Sequence, residues 1–143
     1  MNKAQNNEAA AAPKIMIVED ETLVAKDIEA SLTSLGYTVC RAVSSGEDAL
    51  AFIAQDRPDL ILMDIMLKGN LDGIETANRV RRQLDIPVIF LTAYSDAATV
   101  GRAKETNAFG YLLKPFEESE LRTTIEMALY KNETERKIKR QRQ

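Results

Sequence analysis

Four marked positions in this chain follow short apolar runs, and their residue types are those that transfer of a phosphoryl group to a carboxylate requires. They are the pair Glu19 and Asp20, then Asp64, Thr92 and Lys114. The carboxyl ends of parallel strands meet at one edge of a sheet, so these side chains can converge there. Asp64 can attack phosphorus, while an ammonium and a hydroxyl share the charge of the transferred group. The sequence therefore predicts a phosphoryl-accepting site around Asp64.

Taken singly, each of these residues also has a purely structural interpretation. Asp64 can be a turn or helix-cap residue, Thr92 can cap a helix, and Lys114 can simply be solvated. The run Glu19-Asp20-Glu21 can be an exposed acidic face. Four polar positions at four different strand ends are difficult to attribute to turns alone, so the joint pattern favours the functional interpretation.

The acidic residues at two of these strand ends indicate a magnesium site. Magnesium is a hard ion that is held by one or two carboxylates plus substrate phosphate oxygens, and Glu19, Asp20 and Asp64 offer such carboxylates. Two unit charges about 4 Å apart repel by roughly 4 kcal/mol at an effective dielectric near 20. Converging carboxylates would therefore strain the metal-free fold, and metal should relieve the repulsion.

Composition limits which chemistry is available. A chain of 143 residues that is 45% hydrophobic and 29% charged is expected to form one domain with one core. It contains no histidine, which excludes His-based triads, HExxH zinc sites and a phosphohistidine carried by this chain. A phosphohistidine donor must therefore come from a partner. The lone Cys40 suits a reducing, cytoplasmic location, and no apolar stretch approaches the length of a membrane span.

Short aliphatic runs alternate with segments of helical spacing, in five repeats of strand then helix. This pattern predicts an α/β fold built on a doubly wound parallel sheet. Ser44 with Glu47 fits a capping box that opens the second helix. The fourth helix, from about 95 to 106, is weakly apolar and should be the easiest to shift. The other long helices have clear apolar faces, formed by Val24, Ile28, Leu32 and Leu35, by Ile74, Ala77, Val80 and Leu84, and by Leu121, Ile125, Ala128 and Leu129.

The two ends of the chain differ in composition from its body. Residues 1–13 are polar and alanine-rich, without the features of a secretory signal, and predict a disordered leader. Residues 131–143 carry six Lys or Arg against two Glu, about +4, which leaves the preceding 130 residues near −7. This end is expected to be a basic helical extension or linker, or else a solvated tail. The acidic body predicts neither nucleic-acid binding nor a membrane-binding patch.

Four segments of this sequence resemble the receiver domain of two-component response regulators, over about residues 14–130. They are Val18-Glu19-Asp20-Glu21, Asp64-Ile65-Met66, Leu91-Thr92-Ala93 and Tyr111-Leu112-Leu113-Lys114-Pro115-Phe116. The resemblance implies a flavodoxin-like sheet of five parallel strands in the order 2-1-3-4-5, with five helices. The basic end also resembles the connector that joins some receiver domains to a sensor or kinase module, which leaves open that the chain is a piece of a longer protein.

The resemblance also implies a role for each site residue. Asp64 would accept the phosphoryl group from a sensor histidine kinase or a phosphotransfer protein, and Thr92 and Lys114 would contact that group. A cis bond is implied between Lys114 and Pro115. The implied magnesium ligands are Glu19, Asp20, Asp64 and the backbone carbonyl of Met66.

Tyr111 matches the aromatic switch of the family. The resemblance implies that Tyr111 turns inward as Thr92 moves toward the phosphoryl group, which reshapes the face formed by the fourth helix, fifth strand and fifth helix. A homodimer through that face is among the expected outcomes. As an alternative, Tyr111 is a half-buried strand residue without a switching role.

One loop departs from the pattern of the family. Members commonly place Met-Pro and then Asp-Gly soon after the phosphoacceptor, whereas here 66–71 leads to Asp72-Gly73 without proline and with one extra residue. Met66 and Tyr94 match positions that influence attack of water on the acyl phosphate. Neither has a carboxylate or amide to orient water, which predicts a long-lived phosphorylated state.

Three functional classes are therefore compared. The favoured one is a signalling domain, not an enzyme, that is controlled by phosphorylation and assists its own phosphorylation and dephosphorylation. The second is a binding module that keeps the fold but signals without phosphorylation, against which the complete set of site residues argues. The third is a phosphatase-like enzyme, which is disfavoured because Met66 stands where an Asp-x-Asp motif starting at Asp64 would place its second carboxylate.

Overall fold

The computed structural model describes residues 11–93, 97–106 and 108–142. Within these ranges, strands and helices alternate. The strands are β1 Lys14–Val18, β2 Thr38–Val43, β3 Leu60–Asp64, β4 Val88–Thr92 and β5 Gly110–Leu113. The helices are α1 Thr22–Ser34, α2 Gly46–Ile53, α3 Gly73–Gln83, α4 Ala97–Lys104 and α5 Glu118–Arg142.

The five strands form one parallel sheet in the order β2-β1-β3-β4-β5, which confirms the predicted flavodoxin-like topology. The register aligns the strand ends. Val18 pairs with Met63, so the residues that follow β1 emerge beside the end of β3. Thr92 is the last residue of β4 and pairs with Leu113, directly before Lys114. The sheet therefore gathers the marked positions at one edge.

Apolar side chains fill both faces of the sheet. Successive residues of a strand point to opposite faces of the sheet. On one face, side chains such as Met16 and Met63 pack with α2, α3 and α4. On the other face, side chains such as Ile17 and Leu62 pack with α1 and α5. Every residue of β3 is buried. This double coverage explains why the central strands read as continuous apolar runs in the sequence.

The beginning of α2 corrects one expectation. Ser45, not Ser44, is the N-cap, and its side chain accepts a hydrogen bond from the Asp48 N–H at 3.1 Å. Adjacent serines can each cap a helix, and the extended backbone of Ser45 places the first turn one residue later. The side chain of Glu47 then turns to a different loop, where it accepts a hydrogen bond from the backbone N–H of Asn70.

Helices α4 and α5 flank β5 and differ in their anchoring. The expected start of the fourth helix near 95 lies outside the described residues, and α4 is short, with Ala103 as a buried contact. Leu121 and Ile125 of α5 are fully buried. Helix α5 continues to Arg142. No helix in the described ranges combines the length and the hydropathy required to cross a membrane.

Candidate functional site

Three carboxylates converge at the carboxyl edge of the sheet. Glu19 and Asp20 directly follow β1, and Asp64 ends β3. One oxygen from each lies within 4.8 Å of the others. Glu19 and Asp64 are only 2% and 4% exposed, whereas Asp20 is half-buried. The sequence prediction that strand topology would bring these side chains together agrees with this geometry.

Lys114 reaches the same cluster from the end of β5. Its Nζ donates to Glu19 Oε1 at 2.6 Å and lies 3.4 Å from Asp64 Oδ2. The peptide bond between Lys114 and Pro115 is cis, as the resemblance implied. The backbone N–H of Lys114 donates to the Thr92 carbonyl at 2.7 Å, which fixes the base of the side chain against β4. A cation therefore stands beside both buried carboxylates.

The protonation of the cluster follows from burial and mutual repulsion. Burial, reinforced by the neighbouring Glu19, raises the pKa of Asp64 to about 7. Burial also acts to raise the pKa of Glu19, but hydrogen bonds from Lys114 and Asp64 outweigh it and hold that pKa below its ordinary value. In the metal-free protein, Asp64 therefore keeps its proton to near neutral pH, and a cation that displaces the proton would leave it able to act as a nucleophile.

The loop after β3 holds the backbone of Met66 next to Asp64. The Met66 N–H donates to Asp64 Oδ1 at 3.1 Å, and the Met66 side chain is 56% exposed. The loop closes where the Gly73 N–H donates to the Ile65 carbonyl at 2.9 Å. A Cβ atom at position 73 would collide with the Asp64 carbonyl, which explains the glycine in Asp72-Gly73.

Thr92 and Tyr111 occupy neighbouring strands beside the cluster. Thr92 is buried at the end of β4. The ring of Tyr111 stacks on Phe90 with the centroids 6.1 Å apart, and its hydroxyl donates to the Ala103 carbonyl of α4 at 3.2 Å. Tyr111 is 43% exposed. Tyr94 lies outside the described residues.

Comparison with known proteins assigns this architecture. Residues 15–126 match the model of the response regulator receiver domain family. The chain belongs to this family. Receiver domains are a family of signalling domains and not of conventional enzymes. In this receiver domain, Lys114 Nζ lies 3.4 Å from Asp64, and Thr92 pairs with Leu113, directly before Lys114.

Two solved receiver domains share the fold closely. The first is the signal receiver domain of a modulated diguanylate cyclase from Desulfovibrio desulfuricans G20, with a TM-score of 0.83, 44% identity and coverage of 87% of this chain and 99% of that one. The second is the receiver domain of a sensor histidine kinase from Pseudomonas aeruginosa PAO1, with a TM-score of 0.75, 34% identity and coverage of 83% and 98%. That domain was solved with a magnesium ion coordinated in its active site cleft.

Longer proteins carry similar receiver domains. The transcriptional regulatory protein AfsQ1 of Streptomyces coelicolor is 38% identical over 123 residues, which cover 86% of this chain and 54% of AfsQ1. The chain thus spans about half the length of the curated relatives it matches.

Two contacts around the site of this receiver domain escaped the sequence prediction. Asp72 forms a full capping box with Glu75 and also accepts a hydrogen bond from Arg102 of α4 at 2.9 Å. Its Asp-x-x-Glu spacing is a readable signal for the cap, although not for the contact with Arg102. The hydrogen bond between Glu47 and the Asn70 N–H joins residues 23 positions apart, so no local sequence pattern could predict it.

Proposed function

We propose that this receiver domain accepts a phosphoryl group on Asp64 from a phosphohistidine of a partner histidine kinase or phosphotransfer protein. The observation that carries the proposal is the Asp64 carboxylate, buried at the end of β3 with Lys114 Nζ 3.4 Å away. A carboxylate oxygen attacks phosphorus, the phosphorus–nitrogen bond breaks, and the partner's imidazole leaves after taking up a proton. The 143 residues contain no histidine, so a phosphohistidine donor lies outside them.

Lys114 and Thr92 are proposed to stabilise the transferred group. The ammonium of Lys114 already sits between two carboxylates, so a small rotation brings it to a phosphoryl oxygen. The Thr92 hydroxyl approaches from the next strand end and donates a hydrogen bond. Because positioning and charge neutralisation dominate phosphoryl transfer, the domain assists its own phosphorylation and dephosphorylation. Lys114→Ala should therefore impair phosphorylation without unfolding the domain.

Magnesium is the proposed cofactor of this reaction. Glu19, Asp20, Asp64 and the backbone carbonyl of Met66 would hold it, and when bound it neutralises charge on the phosphoryl oxygens. The fit rests on three carboxylates with oxygens within 4.8 Å of one another and on the half-buried position of Asp20, which leaves room for metal-bound water. The receiver domain from Pseudomonas aeruginosa, solved with magnesium in its active site cleft, supports the assignment.

The proposed output is a change of the face formed by α4, β5 and α5. Movement of Thr92 toward the phosphoryl group vacates space beside β5, and Tyr111 turns inward into it. The hydroxyl of Tyr111 would then leave the Ala103 carbonyl, so α4 loses one of its contacts. We propose that this face serves partner binding, including a homodimer.

The proposed phosphorylated state is long-lived. Attack of water on the acyl phosphate is accelerated by a side chain that can orient the water, and Met66 offers an exposed thioether instead. Tyr94, outside the described residues, likewise carries no carboxylate or amide. The variant with Met66→Asn and Tyr94→Glu should lose its phosphoryl group faster than the parent protein, and an unchanged lifetime would refute this part of the proposal.

We also propose the bounds of the domain and its cellular location. Residues 14–130 form the receiver domain and 131–143 a basic helical extension, in a cytoplasmic protein, as the unpaired Cys40 supports. AfsQ1 is a transcriptional regulatory protein. We nevertheless assign no nucleic-acid contact to this chain, because its first 130 residues are net acidic.

Intact-mass analysis after incubation with magnesium and acetyl phosphate tests the proposed function. The parent protein should gain one phosphoryl group, and both Asp64→Asn and a metal-chelated sample should gain none. A folded parent protein that gains nothing from acetyl phosphate or from candidate kinases would favour a binding module that signals without phosphorylation.

A further inference from the structure

The loop between β3 and α3, residues 66–72, is held from outside by a residue of α2. Glu47 Oε2 accepts a hydrogen bond from the Asn70 N–H at 3.1 Å. A Cβ atom at Gly69 would lie 3.3 Å from Glu47 Oε1, so the loop passes close to the carboxylate. Both contacts fall on the segment that carries the extra residue noted in the sequence.

The base and the tip of this loop are secured differently. At the base, hydrogen bonds from Gly73 N–H and Leu67 N–H to the Ile65 carbonyl, at 2.9 and 3.2 Å, close the loop. Leu67 and Leu71 are buried. The tip at 68–70 is exposed. The tip therefore depends on polar contacts for a fixed position, and Glu47 provides one.

The position of the tip matters because the tip and Met66 belong to the same loop. Gly69 has a φ of +103°, a conformation that glycine adopts without strain and from which it moves easily. The Met66 carbonyl belongs to the same peptide as the Leu67 N–H, so its direction depends on the hydrogen bond of that N–H to the Ile65 carbonyl at 3.2 Å. A loop that pivots at Gly69 would loosen this bond and let the carbonyl turn away. Magnesium demands near-ideal octahedral geometry, so ordering that carbonyl on binding lowers the affinity for the ion.

We propose that Glu47 is a positioning residue for the magnesium site, which pre-orders the 66–72 loop so that the Met66 carbonyl faces the carboxylates before the ion arrives. The inference rests on the proposed function and deepens it. Glu47 touches neither the ion nor the phosphoryl group. It acts through the Asn70 backbone, as outer partners that orient metal ligands do.

Two simpler effects of Glu47 must be separated from positioning. Its charge lies in the first turn of α2, where acidic residues favour the helix. That charge also attracts cations in general. Asp48 shares both properties, since it is an acidic residue in the same turn, and serves as the matched control. Glu47→Gln separates the effects further, because the amide oxygen still accepts the Asn70 hydrogen bond but carries no charge.

Calorimetric titration with magnesium chloride, on the full chain, tests the proposal. Glu47→Ala should raise the Kd for magnesium by about 2- to 10-fold, the range expected from one hydrogen bond. Glu47→Gln should restore the Kd to within about 2-fold of the parent value, and Asp48→Ala should leave it within the same margin. Hydrogen exchange at the Asn70 amide should be faster in Glu47→Ala and unchanged in Asp48→Ala.

The titrations distinguish a failure of the positioning role of Glu47 from a failure of the proposed function. An unchanged Kd in Glu47→Ala, with tight binding by the parent, overturns the positioning role and leaves the proposed function intact. Equal weakening in Glu47→Gln or in Asp48→Ala assigns the effect to charge and also overturns it. A parent protein that binds no magnesium overturns the proposed function, and the positioning role with it.

Discussion

Strand β3 joins two contrasting environments. Leu60, Ile61, Leu62 and Met63 are fully buried among apolar side chains on both faces of the sheet. Asp64, the next residue, is nearly as buried but faces Glu19 and Lys114. The apolar part removes hydrocarbon from water and stabilises the fold, whereas the strand end places like charges together in a region of low dielectric.

The apolar part of β3 therefore contributes stability, whereas its last residue contributes the chemistry. The interior of β3 can be altered only at the expense of folding. The strand end should behave in the opposite way, because carboxylates that repel in the metal-free protein destabilise it until a cation or a proton intervenes. Functional sites commonly carry such a loss of stability. Variants in the apolar interior of β3 and in its charged end should therefore differ in their effect on stability.

Leu62→Ala should lower the free energy of unfolding by about 2 to 5 kcal/mol, because it removes methyl groups from a fully buried position and leaves a cavity. Urea denaturation of the metal-free protein measures the change. Leu23→Ala is the control, since Leu23 is 79% exposed on α1 and its truncation should alter stability by less than about 0.5 kcal/mol. Similar losses in the two variants would contradict the stabilising role of the apolar interior of β3.

The stability of the metal-free protein should fall as the pH rises from about 4 to about 7. The pKa of Asp64 is raised from 3.8 to about 7 in the folded protein, so the native state holds a proton that the unfolded chain has released. This contribution is complete below about pH 4 and is lost as the pH rises through 7, and it amounts to on the order of 4 kcal/mol in all. The lowered pKa of Glu19 acts in the opposite direction, near and below its ordinary 4.5.

Urea denaturation between pH 4 and pH 8 measures this dependence. Asp64→Asn should flatten the profile, because the variant has no proton to release at that position. Saturating magnesium should also restore stability above pH 7. If the free energy of unfolding of the parent protein rises steadily from pH 4 to pH 7, the raised pKa of Asp64 does not dominate the pH dependence of stability.

Asp20→Ala should stabilise the metal-free protein by about 1 kcal/mol, because it removes a carboxylate that repels the neighbouring Glu19. It should also abolish the rise in Tm that magnesium causes in the parent protein. Glu21→Ala is the matched control, since Glu21 is an exposed neighbouring carboxylate outside the cluster and its loss should preserve the response. Thermal unfolding with and without magnesium measures this response. An unchanged rise in Tm in Asp20→Ala would show that Asp20 is not a magnesium ligand.

Arg102→Gln should have the smallest effect, less than about 1 kcal/mol on unfolding. The ion pair between Arg102 and Asp72 is 2.9 Å long, but both side chains are partly exposed, and exposed pairs contribute little. Raising the ionic strength should reduce the difference from the parent protein further. A loss above about 2 kcal/mol in the free energy of unfolding would show that this exposed ion pair affects stability as strongly as the buried charges do.

The fold could be predicted from sequence because its signals are local. Apolar runs bounded by helical spacing indicate a parallel sheet, and the strand order followed from the family resemblance. The cap of α2 was assigned one residue early, to Ser44, because two adjacent serines offer the same side chain and the backbone geometry decides between them. The extent of α5 to Arg142 was open in the sequence, since its last turns contain few apolar residues.

The convergence of the candidate site residues at the strand ends could be predicted from the sequence, but their detailed contacts could not. Asp64 and Glu19 were expected in one pocket, and the structure brings them together. The closer approach of Lys114 to Glu19 than to Asp64 depends on how three strand ends stack in space. The contact between Glu47 and Asn70 likewise depends on the packing of α2 beside the loop. Such long-range geometry leaves no trace in a single sequence.

The residue that carries the phosphoryl group can be identified by mass spectrometry. The protein is incubated with acetyl phosphate and magnesium, the acyl phosphate is reduced with borohydride, and the peptides are sequenced by tandem mass spectrometry. Reduction converts a phosphorylated aspartate into homoserine. Homoserine should appear at position 64, and its yield should be lower in the Lys114→Ala variant under the same conditions. Homoserine at Asp20 or Asp72, with Asp64 unmodified, would contradict the assignment of Asp64 as the phosphoacceptor.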